Sequence, residues 1–297
     1  MTIRSIRNGL GAAVLLLASG PTSMAAPRAQ QGSPAPNARP SLQPSGQQQQ
    51  PAANPGTTGQ SPQTAAPAAQ PEAPKVNPQE EADYKVLFDS KDPGTKIKLG
   101  EDFLGKYPTS GYAQGVYEQL VKAYCKESDW SHFYATADKA LANDPNDLDV
   151  LVFVGWVTAH IYDPKMPDAK KRLDDAENYE KHALALIPQL PNNGIMPDDQ
   201  FAAGKAGLLK EAHSGLGIID FRRGNNADCV QELQQAVAGD VSPDPTDLYV
   251  MGMAQEQLKN FSDAADSFGK CGQIPGGLED QCKKAVDRVH KESPQGK

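Results

Sequence analysis

The stretch that most restricts the fold of this chain is 114–145, where apolar residues recur at helical spacing on two successive segments. Tyr117, Leu120, Val121 and Tyr124 fall at i, i+3, i+4 and i+7, which places them on one helix face. Trp130, Phe133, Ala137, Ala140 and Leu141 repeat the pattern on the second segment. Between the two, Ser128 and Asp129 offer side-chain oxygens that can cap the second helix. Pro145 ends the unit, because a helix does not readily continue through proline. The expectation is a pair of amphipathic helices folded back on each other.

The pattern returns in register. A second copy starts near Leu148, with Leu151, Val154 and Gly155 on its first helix and Ala176, Ala183 and Pro188 on its second. A third has Leu216, Gly217, Gly224, Cys229, Leu233 and Ala236, with Val241 in place of the closing proline. A fourth has Leu248, Met251, Gly252, Phe261, Ala264, Phe268 and Cys271. Val121 to Gly155 is 34 residues and Gly217 to Gly252 is 35, whereas Gly155 to Gly217 is 62. The surplus of 28 divides into about nine residues around 162–168 and about 19 in 189–207.

This unit resembles the tetratricopeptide repeat (TPR), a helix–turn–helix of about 34 residues. Tyr117, Leu120, Tyr124, Ala140 and Pro145 match its pattern; Val121 is larger than usual, and Phe133 and Ala137 exchange a large and a small residue. The resemblance implies an all-α fold: a TPR-like right-handed helical solenoid of about five helix hairpins over 77–292. A degenerate first hairpin starts at Asn77-Pro78, a cap followed by proline, and carries Tyr84, Leu87 and Phe88. Asp198 or Asp199 is expected to cap an unusually long helix running to about Arg223. In 278–291 the apolar positions 278, 282, 285 and 289 form one stripe with a charged reverse side, as a C-terminal capping helix requires.

The N-terminal region reads differently. Residues 1–25 have the form of a signal peptide, with Arg4 and Arg7, an apolar run over 10–18, and Ser23, Met24 and Ala25 before the cut. That run is shorter than the ~20 residues needed to span a bilayer, so no membrane insertion is expected. Residues 26–76 are rich in Pro, Gln and Ala, with glutamine throughout 47–50, and are read as a disordered linker. A short disordered tail is expected at 293–297. Export to the periplasm or cell envelope follows from the signal.

Charge and motifs exclude several function classes. Before residue 76, Arg4, Arg7, Arg28, Arg39 and Lys75 stand against Glu72, so a formal net charge of −8 leaves −12 on the remainder. An acidic surface with no basic cluster does not suit nucleic acid. The five histidines have no metal-ligand spacing, and phosphate-binding loops, CxxC and GxSxG are missing. No catalytic residue, metal or cofactor is expected. Glu118 and Lys122 stand where relatives that clamp a partner's C-terminal carboxylates have Lys and Asn, which argues against that activity. Four cysteines in an exported chain permit disulfides. The repeat positions of Cys271 and Cys282 point to a bridge between the last repeat and the capping helix, with Cys125 and Cys229 free.

The resemblance implies a non-catalytic scaffold that binds a protein or peptide through its concave face. The positions that line this face fall on Phe153, Trp156, His160, Ile218, Phe221, Arg222, Tyr249 and Met253, with polar Glu118, Gln119, Lys122 and Gln257 at the ends. An aromatic and aliphatic patch of that kind marks an interaction site. The competing reading is that the long helix fills the groove and makes these residues core. A second functional reading is an accessory subunit or small-ligand binder, its pocket built by the insertions at 162–168 and 189–207. Oligomeric state is left open.

Overall fold

The computed structural model describes residues 77–194 and 197–293. The expected signal peptide and linker lie outside them, as does the tail from 294 on. The described residues form eleven α-helices and no strand. The helices are α1 (Pro78–Asp89), α2 (Pro93–Lys106), α3 (Ala113–Lys126), α4 (Trp130–Asn143), α5 (Leu148–Ile161), α6 (Ala169–Leu186), α7 (Asp198–Arg223), α8 (Asn226–Val237), α9 (Pro245–Gln257), α10 (Phe261–Cys271) and α11 (Glu279–Glu292). Consecutive helices pair as five antiparallel hairpins, from α1/α2 to α9/α10, and α11 closes the series against α10. The architecture is TPR-like.

Side-chain caps set several of the helix starts. Asn77 accepts the Gln79 N–H at 3.0 Å with Pro78 next to it, and Asp92 accepts the Thr95 N–H at 2.8 Å. Asp129 accepts from His132 N at 3.1 Å and Asp147 from Val150 N at 3.0 Å. At the start of α7 the expectation fails. Pro197 occupies the cap position without a side-chain bond, and Asp198 and Asp199 sit inside the first turn, where they meet the positive end of the helix dipole instead. The far end of α7 stops at Gly224, whose φ of 81° is left-handed.

The hairpins interlock through glycine. A Cβ on Gly217 would lie 2.7 Å from Leu233, and one on Gly252 would lie 2.7 Å from Phe268. The missing side chain lets the partner helix lay a large residue directly on the backbone. An aromatic-rich core runs from α1 to α5 through Leu87, Phe103, Leu120, Phe133 and Trp156. A second, aliphatic core joins α5, α6 and α7 through Leu151, Val152, Ala183, Ile187 and Ala212.

The two ends of the stack differ. On α11, Leu278, Cys282, Ala285 and Val289 are all buried, while Lys283, Lys284, Asp287 and His290 face water. Cys271 and Cys282 are joined by a disulfide with a Cα–Cα distance of 5.8 Å, and Cys125 and Cys229 are free and buried. On α1, Leu87 is fully buried but Val86 and Phe88 are more than half exposed. Leu87 points at α2 and α3, and nothing described covers the outer side of this first helix.

Candidate functional site

From the second hairpin on, the inner layer of the stack consists of the first helix of each hairpin: α3, α5, α7 and α9. On α5 every residue from Val150 to His160 is buried. A helix buried all round needs a neighbour on each side, and the C-terminal half of α7, buried at Ala212 and from Ser214 to Asp220, supplies one. Helix α7 lies along α5 almost as extensively as α5 lies on its own partner α6. Neither flanking inner pair, α3 with α5 or α7 with α9, packs so closely.

This arrangement corrects the picture of an open groove. Phe153, Trp156 and Ile218 are at most 3 % exposed, and His160 and Tyr249 are also buried. They are packing residues of the inner layer. Phe221, Arg222 and Met253 remain half-buried. The contacts explain the difference. The Trp156 indole N–H donates to Ser214 Oγ of α7 at 3.2 Å, and the His160 ring lies 3.9 Å from that of Trp156. His160 Nδ1 is 2.8 Å from the Trp156 carbonyl, which can only accept, so Nδ1 carries the proton. The Tyr249 hydroxyl accepts from Gln281 of α11 at 2.8 Å, so the end cap covers it. Arg222 donates to the carbonyls of Ala159 and His160 at 2.7 and 3.1 Å. It thereby satisfies carbonyls at the last turn of α5 that have no partner within their own helix.

The outer ends of the inner layer are polar. Glu118 of α3 is partly buried near Asp147 and Asp149, and burial, helped by the Asp147 carboxylate, pushes its pKa up to about 7. Asp147 accepts from Gln114, whose own amide oxygen accepts from the Asn143 side-chain amide Nδ2 at 2.8 Å. Of the remaining histidines, His182 and His290 are exposed, and the other two have structural partners. His132 stacks on Tyr124 with centroids 5.2 Å apart, and His213 Nδ1 lies 2.6 Å from Glu232 of α8. Burial pushes the Cys125 thiol up to about 12, so it is unreactive near neutrality. Among the described residues, no group of three or more His, Cys, Asp and Glu is placed to hold a metal. No described helix is long and apolar enough to cross a membrane.

The two insertions do not meet. Tyr162 lies under the Arg222 guanidinium, 5.4 Å from ring centroid to Cζ, at the C-terminal end of α7. The other insertion forms the loop before α7 and that helix's first turns. Some 15 residues of helix separate Gly207 from Arg222, roughly 22 Å at 1.5 Å per residue. A single pocket shared by both insertions is therefore not formed.

No protein-family model matches the sequence, and none of the curated proteins matches it. Solved structures do align with it. TTC0263, a thermophilic TPR protein of Thermus thermophilus, is 14% identical, over 71% of this chain and 98% of that one, with a TM-score of 0.45. The MamA RS-1 ArsTM double mutant is 14% identical over 71% and 98%, with a TM-score of 0.49. PilW, titled a widely conserved type IV pilus biogenesis factor, is 12% identical over 73% and 93%, also at 0.49. The description of this chain as TPR-like rests on its own helix pairing.

Proposed function

We propose that this protein is a non-catalytic scaffold, exported to the periplasm or cell envelope, that binds a protein or peptide along the rim of its inner helical layer. The observation that carries this reading is the stacking itself. Each hairpin packs chiefly on its neighbours in sequence, so every repeat adds surface rather than closing a central pocket. The rim offers Lys122 and Gln119 of α3, Phe221 and Arg222 of α7 and Met253 of α9, all partly accessible, beside the buried middle of the layer.

The test is affinity capture from an envelope extract with the full mature chain, followed by titration of the purified captured protein against wild type and Lys122→Glu/Met253→Glu. Saturable binding that the double variant weakens at least about tenfold supports the rim, since interface anchors contribute about 1–2 kcal/mol or more each. Equal binding by both chains, or a small ligand copurifying in place of a protein, overturns it. Export is read separately by N-terminal sequencing of native protein: Ala26 is expected at the terminus, and an intact Met1 refutes it.

A further inference from the structure

In the third, fourth and fifth hairpins, a glycine of the inner helix marks where the outer helix seats a large side chain. Leu233 fills the place opposite Gly217, and Phe268 that opposite Gly252. Opposite Gly155 the seated residue is Glu180. Gly215 of α7 faces the same carboxyl: a Cβ on Gly155 would lie 2.5 Å from Oε1, and one on Gly215 closer still. An acid group is thus held against the backbones of α5 and α7, where the sister hairpins place hydrocarbon.

Glu180 is completely buried, and neither carboxyl oxygen has a hydrogen-bond partner among the described residues. An ionised carboxylate in such a slot is far costlier than the neutral acid. Burial, and after it the like charge of Glu211 on α7, pushes its pKa well above the usual carboxylate range. Most positive groups on the adjoining helices are engaged elsewhere, and Lys170 and His182 of α6 are exposed. Arg222 and His160 serve backbone carbonyls at the end of α5, and His213 faces Glu232. On the outer face of α6, Arg223 and Lys181 hold Glu177, Arg223 also meets Asp174, Lys171 meets Asp175, and Arg172 reaches Asp138 of α4. Lys210 of α7 lies 3.4 Å from Asp240.

We propose that Glu180 is a proton-held latch on the joint between α5, α6 and α7. Neutral, it seats like Leu233 and Phe268 and keeps the joint closed. Ionised, it leaves its slot for water, and the joint opens as a local unit while the α9–α11 end stays folded. Opening uncovers the α5–α7 interface on which Trp156 and Ser214 meet. The sign follows from proton binding: above the ordinary carboxyl value of 4.5, folded Glu180 keeps a proton that the unfolded chain has released. Stability is therefore complete below that pH and falls as pH rises towards the raised folded value.

The experiment is amide hydrogen exchange on the full chain at about pH 5 and about pH 8, corrected for intrinsic rates. Peptides from α5, α6 and α7 of the wild type should lose protection at least about tenfold at the higher pH, equivalent to one unit of differential proton affinity. Peptides from α9–α11 should not. In Glu180→Gln and Glu180→Leu the loss in α6 and α7 should vanish, leaving only the part that Glu118 adds at α3 and the start of α5. Glu180→Leu copies Leu233 and carries the comparison if the amide variant fails to fold. The same loss in both variants, no loss in the wild type, or its abolition by Glu118→Gln instead overturns the latch.

Discussion

Trp156 donates its indole N–H to Ser214 Oγ at 3.2 Å, and Ser214 passes the bond on to Asp247 Oδ1 at 2.6 Å. All three residues are buried and sit on three successive inner helices, α5, α7 and α9. One hydroxyl, acting as acceptor and donor at once, fixes the spacing of the middle of the stack.

Ser214→Ala removes both bonds and takes the acceptor from the buried Trp156 indole N–H. It should lower unfolding stability by about 1–3 kcal/mol in urea titration. Trp156→Ala should cost about 3–5 kcal/mol, because a cavity opens in a packed layer. An unchanged melting temperature for Trp156→Ala would mean that the groove is open after all.

The glycines of the inner layer divide by what stands opposite them. Gly217→Ala drives a Cβ to 2.7 Å from Leu233, and overpacking of this kind costs about 1–3 kcal/mol. Gly204, early in α7, has nothing within 4 Å of its missing Cβ. Gly204→Ala should therefore stabilise by about 0.5–1 kcal/mol through helix propensity alone. Opposite signs in paired thermal melts are the expected result; equal signs would refute the seat at Gly217.

The Cys271–Cys282 bridge spans 11 positions of sequence and staples the end cap to the last hairpin. Reduction, or Cys271→Ser/Cys282→Ser, should remove about 2–3 kcal/mol of stability. Non-reducing peptide mapping of exported protein should recover the linked pair, with Cys125 and Cys229 alkylated only after unfolding. Two alkylatable thiols at 271 and 282 in folded protein would contradict the bridge.

Glu118 adds a second pH dependence of the same sign. Its folded pKa of about 7 exceeds its ordinary value of 4.5, so its contribution is intact below about pH 4.5 and is lost as pH rises through 7. Glu118→Gln should raise the melting temperature at about pH 8 and leave it little changed at about pH 4. A variant that melts lower than wild type at the higher pH would show that the carboxylate is stabilised there by a favourable partner.

Periodicity and capping chemistry are properties of neighbours in sequence, so they were legible from residues alone. The helical spacing around Tyr117–Tyr124 and Phe133–Ala140, the caps at Asn77 and Asp129, the end of the long helix near Arg223 and the buried stripe of α11 all came from spacing of a few residues. The glycine register was legible too in the last three hairpins, where two backbones come together at the same turn. Burial of a given side chain depends on helices far away along the chain, and there the residues left an open and a filled groove as competing readings. Only the folded chain set α7 along α5 and so made Phe153, Trp156 and Ile218 core rather than an open face. The same holds for Glu180: its position marks a seat for a large side chain, yet its charge reads as a solvated face. Two glycines from two other helices decided that it is buried, because only they leave room for a carboxyl where no water reaches.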